Sequence, residues 1–297
     1  MRSLPIIKID KTCIKCNKCV DICPRYIFFP SKNEIKLRDL ETCNDCGHCI
    51  AICPVDAIYH NRLIKDSDEA EYPLANEHFN YDQTLMLIRQ RRSIRYFSDK
   101  TLSKEQILRL IQFGRYAPTG HNARKVNYTI VMGREKVVTI LSEVIEAFKK
   151  IREQVTKPIL RFLALLIGKR KKVEKVRRSL YRLNSHITYW EAKIDKVFHN
   201  ASSLILIHAD ENMPSPFEDC VIAAENIMLG AQSIELGATY IGYLVKAWEH
   251  SKDVRELINL PINHSLYAVL AVGKPKHNFK RVVSRPEPKL IYWNSKT

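Results

Sequence analysis

Apolar residues recur at two different periods along this chain, and the switches between them mark its elements. Short runs rich in β-branched and aromatic residues predict strands at Pro5–Ile9, Val55–Tyr59, Asn127–Met132, Ser203–His208, Tyr240–Val245 and Leu266–Val272. Elsewhere the spacing is helical. Asp82 is a candidate N-cap for a short helix through Ile88. Ser103 and Gln106 form a capping box, after which Ile107, Leu110 and Ile111 mark the buried face of a second helix. That helix ends near Ala117-Pro118-Thr119-Gly120-His121-Asn122. Phe217–Leu236 reads as a long, mostly apolar helix of the kind that forms a buried core, and Ser251 caps a short helix that stops before Pro261. The order of strands and helices predicts an α+β sheet domain after a small N-terminal module. No Gly-rich turn follows a strand, so a separate dinucleotide-binding site is not expected.

The N-terminal module is defined by its cysteines. Eight of the nine fall in two copies of one pattern. The first reads Cys13-x-x-Cys16-x-x-Cys19-x-x-x-Cys23-Pro24 and the second Cys43-x-x-Cys46-x-x-Cys49-x-x-x-Cys53-Pro54. Three thiols at successive third positions in one loop pair poorly with one another but converge well on a single centre. Zinc sites present their cysteines in pairs rather than in threes with a remote fourth. The run matches the ligands of [4Fe-4S] clusters. Residues 1–62 resemble the clostridial-type two-cluster ferredoxins, and in that family the fourth cysteine of each run serves the other cluster. The resemblance implies one cluster on Cys13, Cys16, Cys19 and Cys53 and another on Cys43, Cys46, Cys49 and Cys23. Gly47 permits close backbone approach to a cluster, and Asn17 at the equivalent place tolerates a tight turn. Residues 1–60 carry nine Lys or Arg against seven Asp or Glu. Free ferredoxins of this type are usually acidic, so the balance suits a fixed internal relay.

Length and charge set wider bounds. The chain has 297 residues, enough for a small domain and a medium one. Residues 63–80 are polar, acidic at Asp66, Asp68, Glu69 and Glu71, and contain Pro73, which predicts an inter-domain linker. Neither a secretory signal nor a membrane-spanning run stands out, and thiolate ligands suit a reducing compartment; a cytoplasmic protein is expected. The net charge of +16 is concentrated in residues 149–182, where thirteen Lys or Arg face only Glu153 and Glu174. Such a field can draw an anionic membrane surface or an acidic partner, or simply solvate a helix face; no nucleic-acid partner is expected.

After the linker comes Arg91-Arg92-Ser93-Ile94-Arg95-Tyr96-Phe97. Three guanidinium groups and a hydroxyl within five residues suit a phosphate, whose oxygens match the arginine fork. A basic turn, a capped helix and a small polar loop, in this order, resemble the FMN-dependent nitroreductase family. Gly237-Ala238-Thr239-Tyr240-Ile241-Gly242 is similar to that family's loop beside the flavin, and Val269-Leu270-Ala271-Val272-Gly273-Lys274-Pro275 to its last core strand and turn. The resemblance covers 82–135 and 200–293. It implies an α+β sandwich domain over residues 81–297 and an FMN whose phosphate and ribityl chain lie on Arg91, Arg92, Ser93 and Arg95. It also implies Asn122 near the pyrimidine edge and Tyr240, Ile241 and Gly242 along the ring. Either Arg281 or Arg285 would supply a C-terminal phosphate contact. A homodimer with FMN between subunits is implied as well. One departure follows Asn122, where Arg124-Lys125-Val126 replaces the family's common Gln-Pro-Trp.

Residues 134–200 read as a basic helical insert or lid. Within it, Pro158–Gly168 is an apolar run broken by Arg161 and followed by Lys169-Arg170-Lys171-Lys172, too short to span a bilayer. A surface-lying amphipathic helix and a helix packed on the flavin domain both fit, and the second is the preferred reading. Cys220 opens an apolar helix and reads as a buried small hydrophobe. His121 lies near the polar loop, where it could hand a proton to a reduced substrate or make a structural hydrogen bond; no catalytic residue is named. Joining single-electron clusters to a flavin predicts an oxidoreductase. In it electrons pass from a ferredoxin or similar redox protein, through two [4Fe-4S] clusters and FMN, to an electron-poor nitroaromatic, quinone or activated alkene. The alternatives are NAD(P)H-driven reduction with electrons leaving through the clusters, and a non-catalytic electron-transfer or redox-sensing subunit.

Overall fold

The computed structural model describes residues 4–63, 79–156 and 170–293. The centre of the expected linker (64–78) and the apolar run with the first of the lysines after it (157–169) lie outside the described residues. The chain divides into two compact units, Met1–His78 with Thr119–Arg124, and Phe79–Pro118 with Lys125–Thr297.

The first unit shows its sequence repeat as a structural repeat. Strand β1 (Ile7–Ile9), helix α1 (Lys18–Ile22), strands β2 (Phe28–Ser31) and β3 (Glu34–Leu37), helix α2 (His48–Ala51) and strand β4 (Ile58–His60) follow one another. β1 pairs antiparallel with β4, Ile7 opposite His60, and β2 pairs antiparallel with β3. β4 begins later than the expected Val55, because the turn after Pro54 runs through Asp56 at φ +49° before extended backbone resumes. Left-handed residues recur in both copies: Lys15 and Asn17 in the first, Asp45 and Gly47 in the second. They coil each loop so that its first three cysteines face inward. Ile7, Ile27, Phe28, Ile35 and Ile58 join Cys19 and Cys49 in a small core. A core this small leaves the unit short of buried apolar area and dependent on additional cross-links.

The second unit is a four-stranded antiparallel sheet between helices. Its elements are α3 (Tyr81–Gln90), α4 (Lys104–Arg115), β5 (Asn127–Met132), α5 (Arg134–Thr156), α6 (Arg170–Glu191), β6 (Ser203–Asp210), α7 (Pro216–Ala231), β7 (Gly237–Tyr240), α8 (Gly242–His250), α9 (Lys252–Ile258) and β8 (His264–Gly273). The strand order is β5-β6-β8-β7. Ser203–Ala209 are buried throughout, as befits a central strand covered on both faces. Leu204 and Leu206 join the core that contains Leu141, Val144, Phe148 and Leu244 from α5 and α8. α7 packs on the sheet through β6, β7 and β8 and also against α4, bringing Cys220, Ala223, Ala224 and Ile227 into complete burial. Cys220 is thus the buried small residue expected, and burial pushes its thiol up to about 12.

Three expectations need correction. The cap of α3 is Asn80, not Asp82: Asn80 and Gln83 form a reciprocal capping box, leaving Asp82 inside the first turn, where its charge favours the helix N-terminus. The strand expected at Tyr240–Val245 is Gly237–Tyr240, and α8 begins at Gly242, because Leu244 and Ala247 at helical spacing find a buried face. Much of the expected insert is core. Val137, Leu141, Val144, Ile145 and Phe148 on α5 are fully or almost fully buried. Asp195 pins the turn after α6. Its buried carboxylate accepts from the backbone N–H of Val197, Phe198 and Asn200 and from Arg134 Nη1 at 2.9 Å. Among the described residues no helix is long and apolar enough to cross a membrane.

Candidate functional site

In the first unit the cysteines line two cavities, and each cavity takes three thiols from one copy and one from the other. Cys13, Cys16, Cys19 and Cys53 line one; Cys43, Cys46, Cys49 and Cys23 line the second. All are free thiols. The fourth cysteine of each run accepts a backbone N–H four residues on: Ala57 N–H donates to Cys53 Sγ at 3.2 Å, and Ile27 N–H to Cys23 Sγ at 3.5 Å. Burial pushes the Cys49 thiol up to about 12 and raises Cys19 and Cys43 as well. Buried thiols with no cationic partner resist ionising, so the positive charge of bound iron would have to offset that cost. Two sets of four convergent thiols, crossed between copies and consumed by no disulfide, fit two iron–sulfur clusters.

The second cavity has a buried histidine, His60, in its wall. His60 Nε2 stands 3.5 Å from Cys43 Sγ and 3.4 Å from Asp45 Oδ1. His60 Nδ1 accepts the backbone N–H of Arg62 at 3.2 Å, and Arg62 Nη1 donates to both oxygens of Asp45 at 3.1 and 3.3 Å. Thr119–Arg124 belongs to this same unit. Asn122 Nδ2 donates to the carbonyls of Asn44 and Asp45 at 3.0 and 2.9 Å, and Arg124 Nη2 donates to the Asp45 carbonyl at 3.0 Å. His121, Asn122 and Arg124 all hold positive φ near 50°, a strained run for residues other than glycine. His121 is exposed.

In the second unit a cavity of about 580 Å³ is lined by Arg91, Arg92, Ser93, Ile94, Arg95, Tyr96, His277, Phe279 and Arg285. The basic turn is held to the sheet by its backbone. Ile94 N–H donates to the Ala238 carbonyl, Ser98 N–H to Lys274, and Lys276 N–H to Tyr96. Phe97 bridges Pro275 and is buried. Tyr96 and His277 stack with centroids 5.3 Å apart, and the Arg92 guanidinium lies 5.4 Å over the Phe279 ring. Arg91 Nε is 3.1 Å from Glu225. Arg92, Arg95 and Arg285 have no carboxylate partner among the described residues, so the cavity keeps unbalanced positive charge suited to a phosphate.

Arg91, Arg92, Ser93, Arg95 and Arg285 are therefore gathered around one space. Arg281 is exposed and does not line it. Tyr240, Ile241 and Gly242 stand at the end of β7, where the Tyr240 hydroxyl donates to the Tyr267 carbonyl and Ile241 is buried. They do not line the arginine cavity, and neither does Asn122. Sequence reasoning missed Tyr96, His277 and Phe279, although all three fall within or between the motifs it used. It also missed His60, which carries no motif.

Two family models match this chain: the 4Fe-4S dicluster domain over residues 12–57, and the Nitroreductase family over residues 88–274. The chain belongs to the nitroreductase family. Its nitroreductase part thus follows a dicluster domain whose eight cysteines are those lining the two cavities. A provisionally named NADH dehydrogenase/NAD(P)H nitroreductase of Archaeoglobus fulgidus is 25% identical over 200 residues, 66% of this chain and 87% of that protein. A nitroreductase with bound FMN from Desulfitobacterium hafniense has a TM-score of 0.51 at 18% identity and covers 71% of this chain and 98% of its own. An FMN-bound nitroreductase from Bacteroides fragilis has a TM-score of 0.49 at 21% identity, covering 72% and 97%. At these identities the likeness speaks to fold alone. The nitroreductase fold accounts for the sheet and its helices.

Proposed function

We propose that this chain is an iron–sulfur flavoprotein oxidoreductase that delivers electron pairs to an electron-poor small molecule such as a nitroaromatic, a quinone or an activated alkene. Residues 1–62 form the electron-entry domain, 63–80 the linker and 81–297 the flavin domain. Cys13, Cys16, Cys19 and Cys53 hold one [4Fe-4S] cluster, and Cys43, Cys46, Cys49 and Cys23 the other. FMN, when bound, accepts electrons singly from clusters and hands them on in pairs.

The arginine cavity carries this reading. Arg92, Arg95 and Arg285 supply forks for phosphate oxygens, Ser93 supplies a hydroxyl, and Arg91 is steered by Glu225. The FMN held by the Desulfitobacterium hafniense protein, which shares the fold, supports the choice of ligand. The same positive field stabilises negative charge that reduction adds. Tyr96, His277 and Phe279 line the same cavity. A homodimer belongs to the same proposal, supported by the exposed apolar side chains Met86, Leu87 and Ile88 on α3 and Ile291, Tyr292 and Trp293 near the C-terminal end. The donor in this reading is a reduced ferredoxin or similar protein. NAD(P)H is the second donor to consider, favoured by the name of the Archaeoglobus fulgidus relative.

Anaerobic stopped-flow absorbance on the cluster- and FMN-loaded chain tests both. Cluster bleaching before flavin bleaching, with reduced ferredoxin alone, supports inward flow. Fast flavin bleaching with NADH or NADPH reverses the direction. Failure to retain FMN would sink the flavoprotein reading.

A further inference from the structure

The two cysteine cavities differ in one buried donor. His60 is 2% exposed and sits on β4 beside the cavity of Cys43, Cys46, Cys49 and Cys23. Its tautomer follows from its neighbours. Nδ1 accepts the Arg62 backbone N–H, so in the neutral ring the proton resides on Nε2. That Nε2–H faces Cys43 Sγ at 3.5 Å, a normal N–H···S distance, and is shared with Asp45 Oδ1 at 3.4 Å. Pro30 on β2 stands seven residues after Cys23 as His60 stands seven after Cys53, and proline has no donor to offer. The crossing cysteine of each cavity also accepts a backbone N–H, Cys53 from Ala57 and Cys23 from Ile27, so those two bonds do not distinguish the cavities.

Reduction of a cluster adds one electron and hence negative charge on its sulfurs. A donor aimed at a ligand sulfur stabilises that state and raises the potential. Nearby charges act on the same balance; Arg25 lines the Cys43 cavity and Lys18 the Cys13 cavity, and since both are exposed water screens them alike. The Asp45 carboxylate opposes the effect, but Arg62 Nη1 bonds both of its oxygens and offsets it. Lys15 occupies the place of Asp45 in the first copy, yet it is exposed and its Nζ turns to Asn33 at 3.3 Å. Its charge is screened by water, whereas His60 acts by buried contact.

We propose that His60 makes the site of Cys43, Cys46, Cys49 and Cys23 the higher-potential one of the pair. This rests on the ligand sets given under the proposed function. His60 keeps its proton throughout and acts only through Cys43; it is a positioning residue, not a catalytic one. Of the two sites, that of Cys43 then holds an arriving electron more of the time.

The test is an anaerobic dithionite titration of the full chain, loaded with iron and sulfide and followed by EPR at graded potentials. Two one-electron steps are expected. His60→Leu should lower only the higher step, by about tenfold in its oxidised-to-reduced ratio at fixed potential, about 59 mV for one electron. His60→Gln, which keeps an N–H donor, should recover most of that shift. Unchanged potentials at full iron content, a shift in the lower step, or a glutamine variant no better than leucine would overturn the proposal. If His60→Leu fails to load, wild-type protein labelled with ¹⁵N-histidine decides. Pulsed EPR of the singly reduced chain should show a nitrogen coupling that His60→Gln removes, and no such loss would equally overturn it. Iron short of two full clusters in the wild type would instead sink the ligand reading beneath it.

Discussion

The side chain of Ile94 occupies the space beside the α-carbon of Gly237: a β-carbon there would stand 2.6 Å from Ile94 Cγ1. Ile94 also donates its backbone N–H to Ala238. The basic turn is therefore seated on β7 by a contact that only glycine permits. Gly237→Ala should push Ile94 out, costing about 1–3 kcal/mol of stability. The melting temperature should fall by about 2–4 °C per kcal/mol, and FMN titrated by fluorescence quenching should bind more weakly. Unchanged affinity would mean the seat does not hold the arginines.

Arg285 lines the arginine cavity and Arg281 does not. Arg285→Gln should weaken FMN binding by about 1.5–3 kcal/mol, the worth of a hydrogen bond to a charged group, or about tenfold or more in Kd. Arg281→Gln should leave it within about twofold. Equal losses from the two would point to long-range field rather than direct contact, and raising the salt would then shrink both.

Each cavity borrows one thiol from the other copy. Cys53→Ala should remove iron chiefly from the Cys13 site, and Cys23→Ala chiefly from the Cys43 site. Iron and acid-labile sulfide analysis, with EPR of what remains, measures this. Equal loss of both clusters in both variants would mean that the unit assembles only as a whole.

His208 and His264 meet Nδ1 to Nδ1 at 2.9 Å, and His208 Nε2 lies 3.0 Å from Thr129 Oγ1. Burial, with the neighbouring His264, takes His208 down to about 4 from an ordinary 6.5. His199 falls to about 4 as well, chiefly by burial. Below pH 6.5 the unfolded chain takes up protons that the folded chain refuses. The stability these two histidines control should therefore decline as pH falls from about 6.5 to about 4, where their share of the loss is complete. Replacing His208 by leucine should cost stability at pH 7, since Thr129 and His264 lose a partner, yet flatten the acid slope. Thermal melts across pH 4–7 measure both, and a slope unchanged in His208→Leu would assign it elsewhere.

How much was legible beforehand depended on how local each cause is. The capping box of Ser103 and Gln106, the cap at Ser251, the strand at Asn127–Met132 and the left-handed turns at Asn17 and Gly47 all depend on neighbours a few residues away. The eight cysteines announced two metal clusters because their spacing alone restricts what they can bind. Arg91, Arg92, Ser93 and Arg95 stand together in the chain, so their nearness to one another was legible without a fold. Tertiary structure decided the rest. It turned the expected strand after Tyr240 into α8, because burying Leu244 and Ala247 outweighs β propensity. It made α5 core rather than insert, since an apolar stripe has no meaning until a sheet lies against it. It brought Arg285 and not Arg281 to the cavity, a choice set by the path of an irregular tail. It put His60 against Cys43 by pairing β1 with β4, a contact between residues seventeen apart that no local pattern encodes. Spacing along the chain specifies which chemistry is present; only packing specifies which groups meet, because burial and hydrogen bonding are settled across the fold and not along the sequence.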